Sequence, residues 1–421
     1  MDESYSDEKY LIARFRRAYF VTKYYYSGRM FTGSEFVDQA AVLFDDENGS
    51  IEAAGKRNEV DKPQRAIDLS LSNSTILPGL VDAHLHFFGT RHFDTMDFIT
   101  TPRTTAALRS ISDLTKLLNA GFTAVRDLGS KTATYLRKAV EEGTLVGPTI
   151  FASGKSLAQT GGNDDLTRLP LNVSRQLSYS LYCDGRDGCR KGVRRVIRDG
   201  ANVIKVYASG SLDQAMDEGT TIMRQFSVEE LKTIVEEAHA IRMKVAAHAY
   251  WDESISNALE AGVDSIEHGV GLTEETAARM ARQGTFYVPT AGLYSQFFSR
   301  LTPDLVETLK RHQRDELQLA LRSGVKLVMG TDFAGTETFP HGQNYEEIKF
   351  MANAIGNREA LEAATKNGSS CLGLKRSGEI KAGMRADLII VNGDPLKDTE
   401  SLNPGNVQIV AQNGILRKRI Q

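Results

Sequence analysis

Cysteine is scarce in this 421-residue chain. Its three copies, Cys183, Cys189 and Cys371, form neither a disulfide framework nor a zinc-ribbon spacing. No apolar run approaches the length needed to span a bilayer. The opening residues, Met1 to Glu8, are acidic and carry no signal-peptide hydrophobic region. Without a secretion signal, sequons such as Asn73-Ser74-Thr75 read as chance matches. Charge of one sign is also missing. Lys and Arg number 51 against 54 Asp and Glu, for a net charge of -3, so nothing points to nucleic acid or an anionic membrane as partner. Internal repeats and low-complexity segments are absent. What remains is a cytoplasmic protein whose partner is a small molecule.

Hydrophobic residues make up 41% of the chain and charged residues 25%, enough for a large core with an ordinary globular surface. The length suits a barrel plus an accessory domain. From about Tyr10 to Val60 the chain reads as short β segments, such as Phe15 to Val21 and Ala40 to Phe44, with Asn48-Gly49 as a turn. From about Ile76 short apolar strands alternate with helical stretches. Eight strands are expected, at Ile76–Leu85, Phe122–Leu128, Thr149–Ser153, Val203–Ala208, Val245–Tyr250, Asp264–His268, Phe286–Thr290 and Leu327–Asp332. Helical patterns at Val228–Ile241, Glu274–Arg282 and Leu305–Ser323 fall between them. An open doubly wound sheet would want a Gly-rich phosphate turn after its first strand, and none is present. The pattern therefore predicts an α/β fold, a (β/α)8 TIM barrel over 75–374. After a last helix at Arg358–Leu372, strands return at Gly378–Ile380, Ala386–Val391 and Val407–Ala411. These lack βα partners and are expected to pair with the N-terminal strands. Residues 1–74 and 375–421 would then form one composite β-sandwich.

The strongest local signal is Pro78-Gly79-Leu80-Val81-Asp82-Ala83-His84-Leu85-His86. Side chains alternate along a strand, so His84 and His86 project to the same side, toward a barrel mouth. Imidazole is a good ligand for zinc and its neighbours, although two packed histidines would give the same pair. Lys205 sits in the otherwise apolar Asn202–Tyr207. A buried, unpaired ammonium is costly or loses its proton. A neutral lysine amine can take up carbon dioxide as a carbamate, an anionic ligand able to bridge two cations. A lysine salt-bridged at the strand end is the plainer alternative. His248, His268 and Asp332 close three further strands. Asp332 alone would pass for a helix N-cap. Together the six residues occupy matching ends of strands one, four, five, six and eight, which chance placement does not readily give.

This set and its order resemble the amidohydrolase superfamily in its two-metal form. The resemblance covers the Pro-Gly-x-x-Asp-x-His-x-His entry, Lys205, His248, His268 and Gly330-Thr331-Asp332. It also takes in the C-terminal Gly378-x-Ile380-x-x-Gly383-x-x-Ala386-Asp387-Leu388. Thr160-Gly161-Gly162, Ser265 to Gly269 and Pro340-His341-Gly342 look most like the branch of imidazolonepropionase-like dipeptidases and ochratoxin-hydrolysing amidases. The resemblance implies a hydrolase of an amide or peptide-type C–N bond in a dipeptide or N-acyl amino acid. Two divalent ions, zinc being the expected metal, would be held as follows: one by His84, His86 and Asp332, the other by His248 and His268, with carboxylated Lys205 between them. A hydroxide shared by both ions would attack the carbonyl. Asp332 would act as base and then acid.

Asp82, on the His84 face, would orient a ligand imidazole or make a plain strand-to-loop bond. Tyr250, sharing the direction of His248, is either a group that meets the substrate carbonyl or a packed rim tyrosine, and His341 either lines the mouth or stands solvated on a loop. Relatives commonly carry a histidine where this chain has Asn163, and an amide cannot become cationic. A homo-oligomer is expected. A mononuclear deaminase would not need Lys205, and a non-catalytic scaffold would not keep all six ligands. A cyclic-imide hydrolase or lactonase would share the whole metal set.

Overall fold

Alternation sorts the first strands into two faces. In β1 (Lys23–Phe31), Tyr24 and Tyr26 join one apolar cluster and Tyr25 another. In β2 (Phe36–Asp45), Ala40, Val42 and Phe44 join the first cluster, and Ala41 and Leu43 the second. β3 (Ile51–Lys56), β4 (Ile67–Asp68) and β5 (Ser74–Pro78) complete this part. The computed structural model describes residues 21–211, 224–294 and 302–420. The expected strand at Phe15 to Val21 therefore lies, except for Val21, outside the described residues.

The chain forms two compact units, one from the residues up to Gly79 together with those from Lys375, the other from Leu80–Leu374. The second unit is α/β. Its strands are β6 (Leu80–Leu85), β7 (Phe122–Asp127), β8 (Thr149–Ala152), β9 (Ser156–Ala158), β10 (Ser180–Tyr182), β11 (Ile204–Tyr207), β12 (Val245–Ala249), β13 (Ser265–His268) and β14 (Phe286–Val288). One parallel sheet runs β6-β7-β8, and another β10-β9-β11-β12-β13-β14. Helices fall between the strands. The helix Val228–His239 starts at a capping box in which Ser227 and Glu230 bond each other's backbone N–H. Trp251–Ala261 stops at Gly262, whose φ of 86° the αL cap requires.

Two expected strands take a different form. Ile76–Leu85 is broken at Gly79 into β5 and β6, which belong to different units. Leu327–Asp332 is an irregular segment held by single parallel bridges, Tyr287 to Leu327 and Leu85 to Phe333. Hydrogen bonds from Val328 N to Tyr287 O (2.9 Å) and from Ala83 N to Met329 O (3.0 Å) still lodge it beside β14 and β6. Tight passage explains the irregularity. A Cβ on Gly330 would lie 2.5 Å from Val288 Cγ1 and 2.9 Å from His84 Cβ, and Asp332 turns left-handed at φ 59°. The short strands β9 and β10 were not anticipated. At the far edge, Ala152 N donates to Asn202 Oδ1 (2.7 Å) and Asn202 N to Ala152 O (3.0 Å), linking β8 to the approach of β11.

β15 (Leu388–Asn392), β16 (Val407–Gln412) and β17 (Ile415–Arg419) return to the first unit. β15 pairs antiparallel with β5, so the C-terminal strands do join the N-terminal ones, in the sheet order β17-β16-β15-β5-β1-β2-β3. The expected strand at Gly378–Ile380 is not formed, but Ile380 N still donates to Thr32 O (2.8 Å) and its side chain enters the core. All three cysteines are free and buried. Among the described residues no helix is long and apolar enough to cross a membrane.

Candidate active site

On β6 the apolar Val81 and Ala83 pack with Phe286, Val328 and Leu372, and the polar Asp82 and His84 alternate with them. That polar face meets others like it. Arg126 of β7 donates through Nη2 to Glu267 Oε1 (2.8 Å) and through Nη1 to Ser265 Oγ (3.1 Å). Glu267 Oε2 in turn lies 2.8 Å from His84 Nδ1. Ser265 and Glu267, two apart on β13, share one face, so alternation alone would turn His268 away from it. His268 is left-handed at φ 68°, which takes it out of register at the strand end.

Among the described residues, one set of His, Cys, Asp or Glu side chains places three ligand atoms within 4.8 Å of one another: His84, His86 and Asp332. His86 Nε2 lies 2.8 Å and His84 Nε2 3.5 Å from Asp332 Oδ1. All three line one cavity together with Lys205, His248 and His268. Ring centroids are 5.4 Å apart for His84 and His86, 5.1 Å for His84 and His268, and 4.5 Å for His248 and His268. The chemistry of the set fits metal ions. Burial holds His84, His248 and His268 well below the ordinary imidazole pKa, in the neutral state a metal needs. Three of the rings are also anchored through one nitrogen: His84 at Glu267, His268 Nδ1 at Thr290 Oγ1 (2.7 Å) and His248 Nε2 at Gly210 O (3.1 Å). Lys205 is 2% exposed, and its Nζ stands 5.3 Å from the Tyr207 ring centroid. Burial brings its pKa down to about 8, although Glu267 and Asp332 pull the other way.

The rim departs more from expectation. Tyr250 lines the cavity, but its hydroxyl is already 2.7 Å from that of Tyr294. Asn163 also lines it. Its Nδ2 donates to Asp164 Oδ1 (2.9 Å), and its buried Oδ1 has no partner among the described residues. His341 is not at the mouth. It is buried behind β6, where Nε2 donates to His86 O (3.0 Å) and the ring faces Phe87 at 5.4 Å. Asp82 does not touch an imidazole. It accepts from the His84 and Thr331 backbone amides, Thr331 Oγ1 and Asn344 Nδ2, so it ties β6 to the segment bearing Asp332. Burial pushes its carboxyl up to about 6 against those bonds. Glu267 takes the imidazole-orienting place instead. Sequence reasoning passed over Glu267 and Arg126, and Arg126 gives a weaker signal than Lys205 because Asp127 follows it directly in Phe122–Leu128.

The amidohydrolase family model matches residues 75–416. The chain belongs to the amidohydrolase family. The ochratoxinase of Aspergillus niger is 32% identical over 371 residues, which cover 81% of this chain and 75% of that protein. Its crystal structure superposes with a TM-score of 0.85 at 28% identity, over 95% of this chain and 96% of that one. A Xaa-Pro dipeptidase crystallised with methionine in its active site gives 0.81 at 30% identity, over 94% and 100% of the two chains. This amidohydrolase is accordingly a hydrolase acting on C–N bonds, in a metal-dependent family.

Proposed function

We propose that the cavity holding His84, His86 and Asp332 hydrolyses the amide bond of a dipeptide or an N-acyl amino acid with two divalent ions. The barrel that carries it would span 75–374, closed through the segment between β14 and β6. The observation that carries this reading is the convergence of the three ligand atoms within 4.8 Å, in a cavity that Lys205, His248 and His268 also line. His84, His86 and Asp332 would hold one ion, and His248 and His268 the other. The nitrogen of Lys205 would add to carbon dioxide and lose a proton, giving a carbamate between the two. The ions, zinc being the expected metal, would supply Lewis acidity to the scissile carbonyl and lower the pKa of water. Glu267 and Thr290 keep two imidazoles aimed. Asp332 is the carboxylate set to take a proton from the attacking water and pass it to the leaving nitrogen. The ochratoxinase and Xaa-Pro dipeptidase relatives support an acyclic amide as the substrate.

The test is a panel of dipeptides and N-acyl amino acids with wild-type enzyme and Asp332→Asn. Wild type should turn over members of the panel. The variant should still bind them while losing turnover by roughly 10²–10⁴-fold, with esters less affected than amides. Efficient cleavage of lactones or cyclic imides with no acyclic amide in the panel would overturn the assignment.

A further inference from the structure

A second cavity adjoins the first and shares Phe88 and Tyr179 with it as a common wall. Phe88 stacks on His86 at 4.7 Å with 4° between the planes. Its ring also meets Phe98 at 4.7 Å and Tyr179 at 5.2 Å, both of which line the second cavity. Phe88, Phe98 and Tyr179 thus make an aromatic strip between the reacting centre and the second cavity. Beyond it the charged groups are all cations. Asp164, Asp332 and Lys205 line the first cavity, whereas among the described residues Arg103 and Lys131 line the second and no carboxylate does. Thr90, 5% exposed, lines it too, with a hydroxyl that has no partner among the described residues. Lys131 donates to Leu177 O, which leaves further N–H donors on the same nitrogen. Lys155 donates to Ser178 O (2.7 Å) and Ser180 O (3.3 Å), so two lysines pin the backbone on either side of Tyr179.

We propose that this second cavity binds a carboxylate carried at the end of a flat, apolar limb of the substrate. The aromatic strip packs against the limb, and Arg103, Lys131 and the Thr90 hydroxyl take the anion. The inference rests on the amide-hydrolase reading of the neighbouring site, and it makes the preferred substrates amides that also carry a carboxylate on an aryl limb, rather than uncharged amides.

Calorimetric titration of zinc-loaded enzyme with 2-naphthoate, 2-naphthamide and acetate tests it. Naphthoate should bind at least about tenfold more tightly than either of the others. Arg103→Gln, at an exposed residue that opens a helix, should lose about tenfold of the naphthoate affinity and leave that for naphthamide unchanged. Lys131→Gln should act in the same direction, and Arg103→Gln decides alone if that protein does not fold. Unchanged naphthoate affinity in Arg103→Gln would place the carboxylate on the metal ions and overturn the proposal. So would equal losses for acid and amide, or acetate binding as tightly as naphthoate, which marks a site for free anions. Failure here is separate from failure of the hydrolase reading, because binding is read without turnover. An enzyme that cleaves amides but shows no dependence on Arg103 keeps the reaction and loses this cavity.

Discussion

In the sheet built from both chain ends, the core is made of residues such as Tyr26, Val42, Phe44, Ile76, Ile390 and Ile409. Residues 80–374 bury something else between β6, β7, β11 and β13. His84, Arg126, Lys205 and Glu267 are each no more than 2% exposed. Apolar burial stabilises in proportion to area and tolerates rearrangement. Buried charge is stable only when each group is paired, and removing one partner strands the other. The first unit can therefore be read as stability, and the interior of the second as stability given up to hold ionisable groups in one geometry.

That contrast can be broken from either side. Glu267→Ala leaves the Arg126 guanidinium buried with Ser265 and a backbone carbonyl as its remaining partners. A loss of about 3–5 kcal/mol is expected from urea unfolding. The double variant Glu267→Leu with Arg126→Met should recover part of that stability while staying inactive, since His84 loses its anchor. Recovery of activity would contradict the role given to Glu267. Ile390→Ala, at 1% exposure in the sheet core, should cost about 2–5 kcal/mol. In folded protein it should leave kcat near wild type, which a turnover assay below the unfolding transition checks. The smallest effect is expected at the surface pair Lys62–Asp68, with the side chains 45% and 44% exposed. Burial alone would raise the Asp68 carboxyl, but the bonds from Lys62 and Ser70 outweigh it and hold the pKa at about 2. A depressed carboxylate stabilises the fold above its unfolded pKa of about 4 and loses that contribution as pH falls toward 2. Asp68→Asn should therefore cost about 0–1 kcal/mol at pH 7, less in high salt, and nothing near pH 2.

Much of this was legible in the sequence wherever residue type and period were enough. His84 and His86 share a strand face because they are two apart, and Lys205 stands out because its neighbours are apolar. The pairing of β15 with β5 followed from strands that lacked helical partners. Positions set by backbone twist were not legible. His268 and Asp332 reach the site through left-handed φ angles of 68° and 59°, and nothing in a single sequence announces such angles at these residue types. The regular eighth strand was expected because Leu327–Asp332 is apolar enough for one. Close contact of Gly330 with His84 and Val288 keeps it irregular. His341 was open between lining the mouth and standing solvated on a loop, and in the structure it does neither: it is buried and donates to the His86 carbonyl. Asp82 was open between orienting an imidazole and making a strand-to-loop bond; it makes the second, to Thr331 and Asn344, and Glu267 holds the imidazole. Both are carboxylates on inward faces, and only distances in the folded chain separate them.

On the proposed reading, Lys205 would be a ligand shared by two ions and not a strand-end cation. Elemental analysis of protein purified without chelator, run beside Lys205→Ala, tests it most directly. Wild type should carry close to two divalent ions per chain, with zinc predominant. Lys205→Ala should hold clearly fewer, and bicarbonate or a short carboxylic acid should restore part of the activity. A fully active wild type with one ion, or a Lys205→Ala protein that keeps two ions and near-normal turnover, would contradict it.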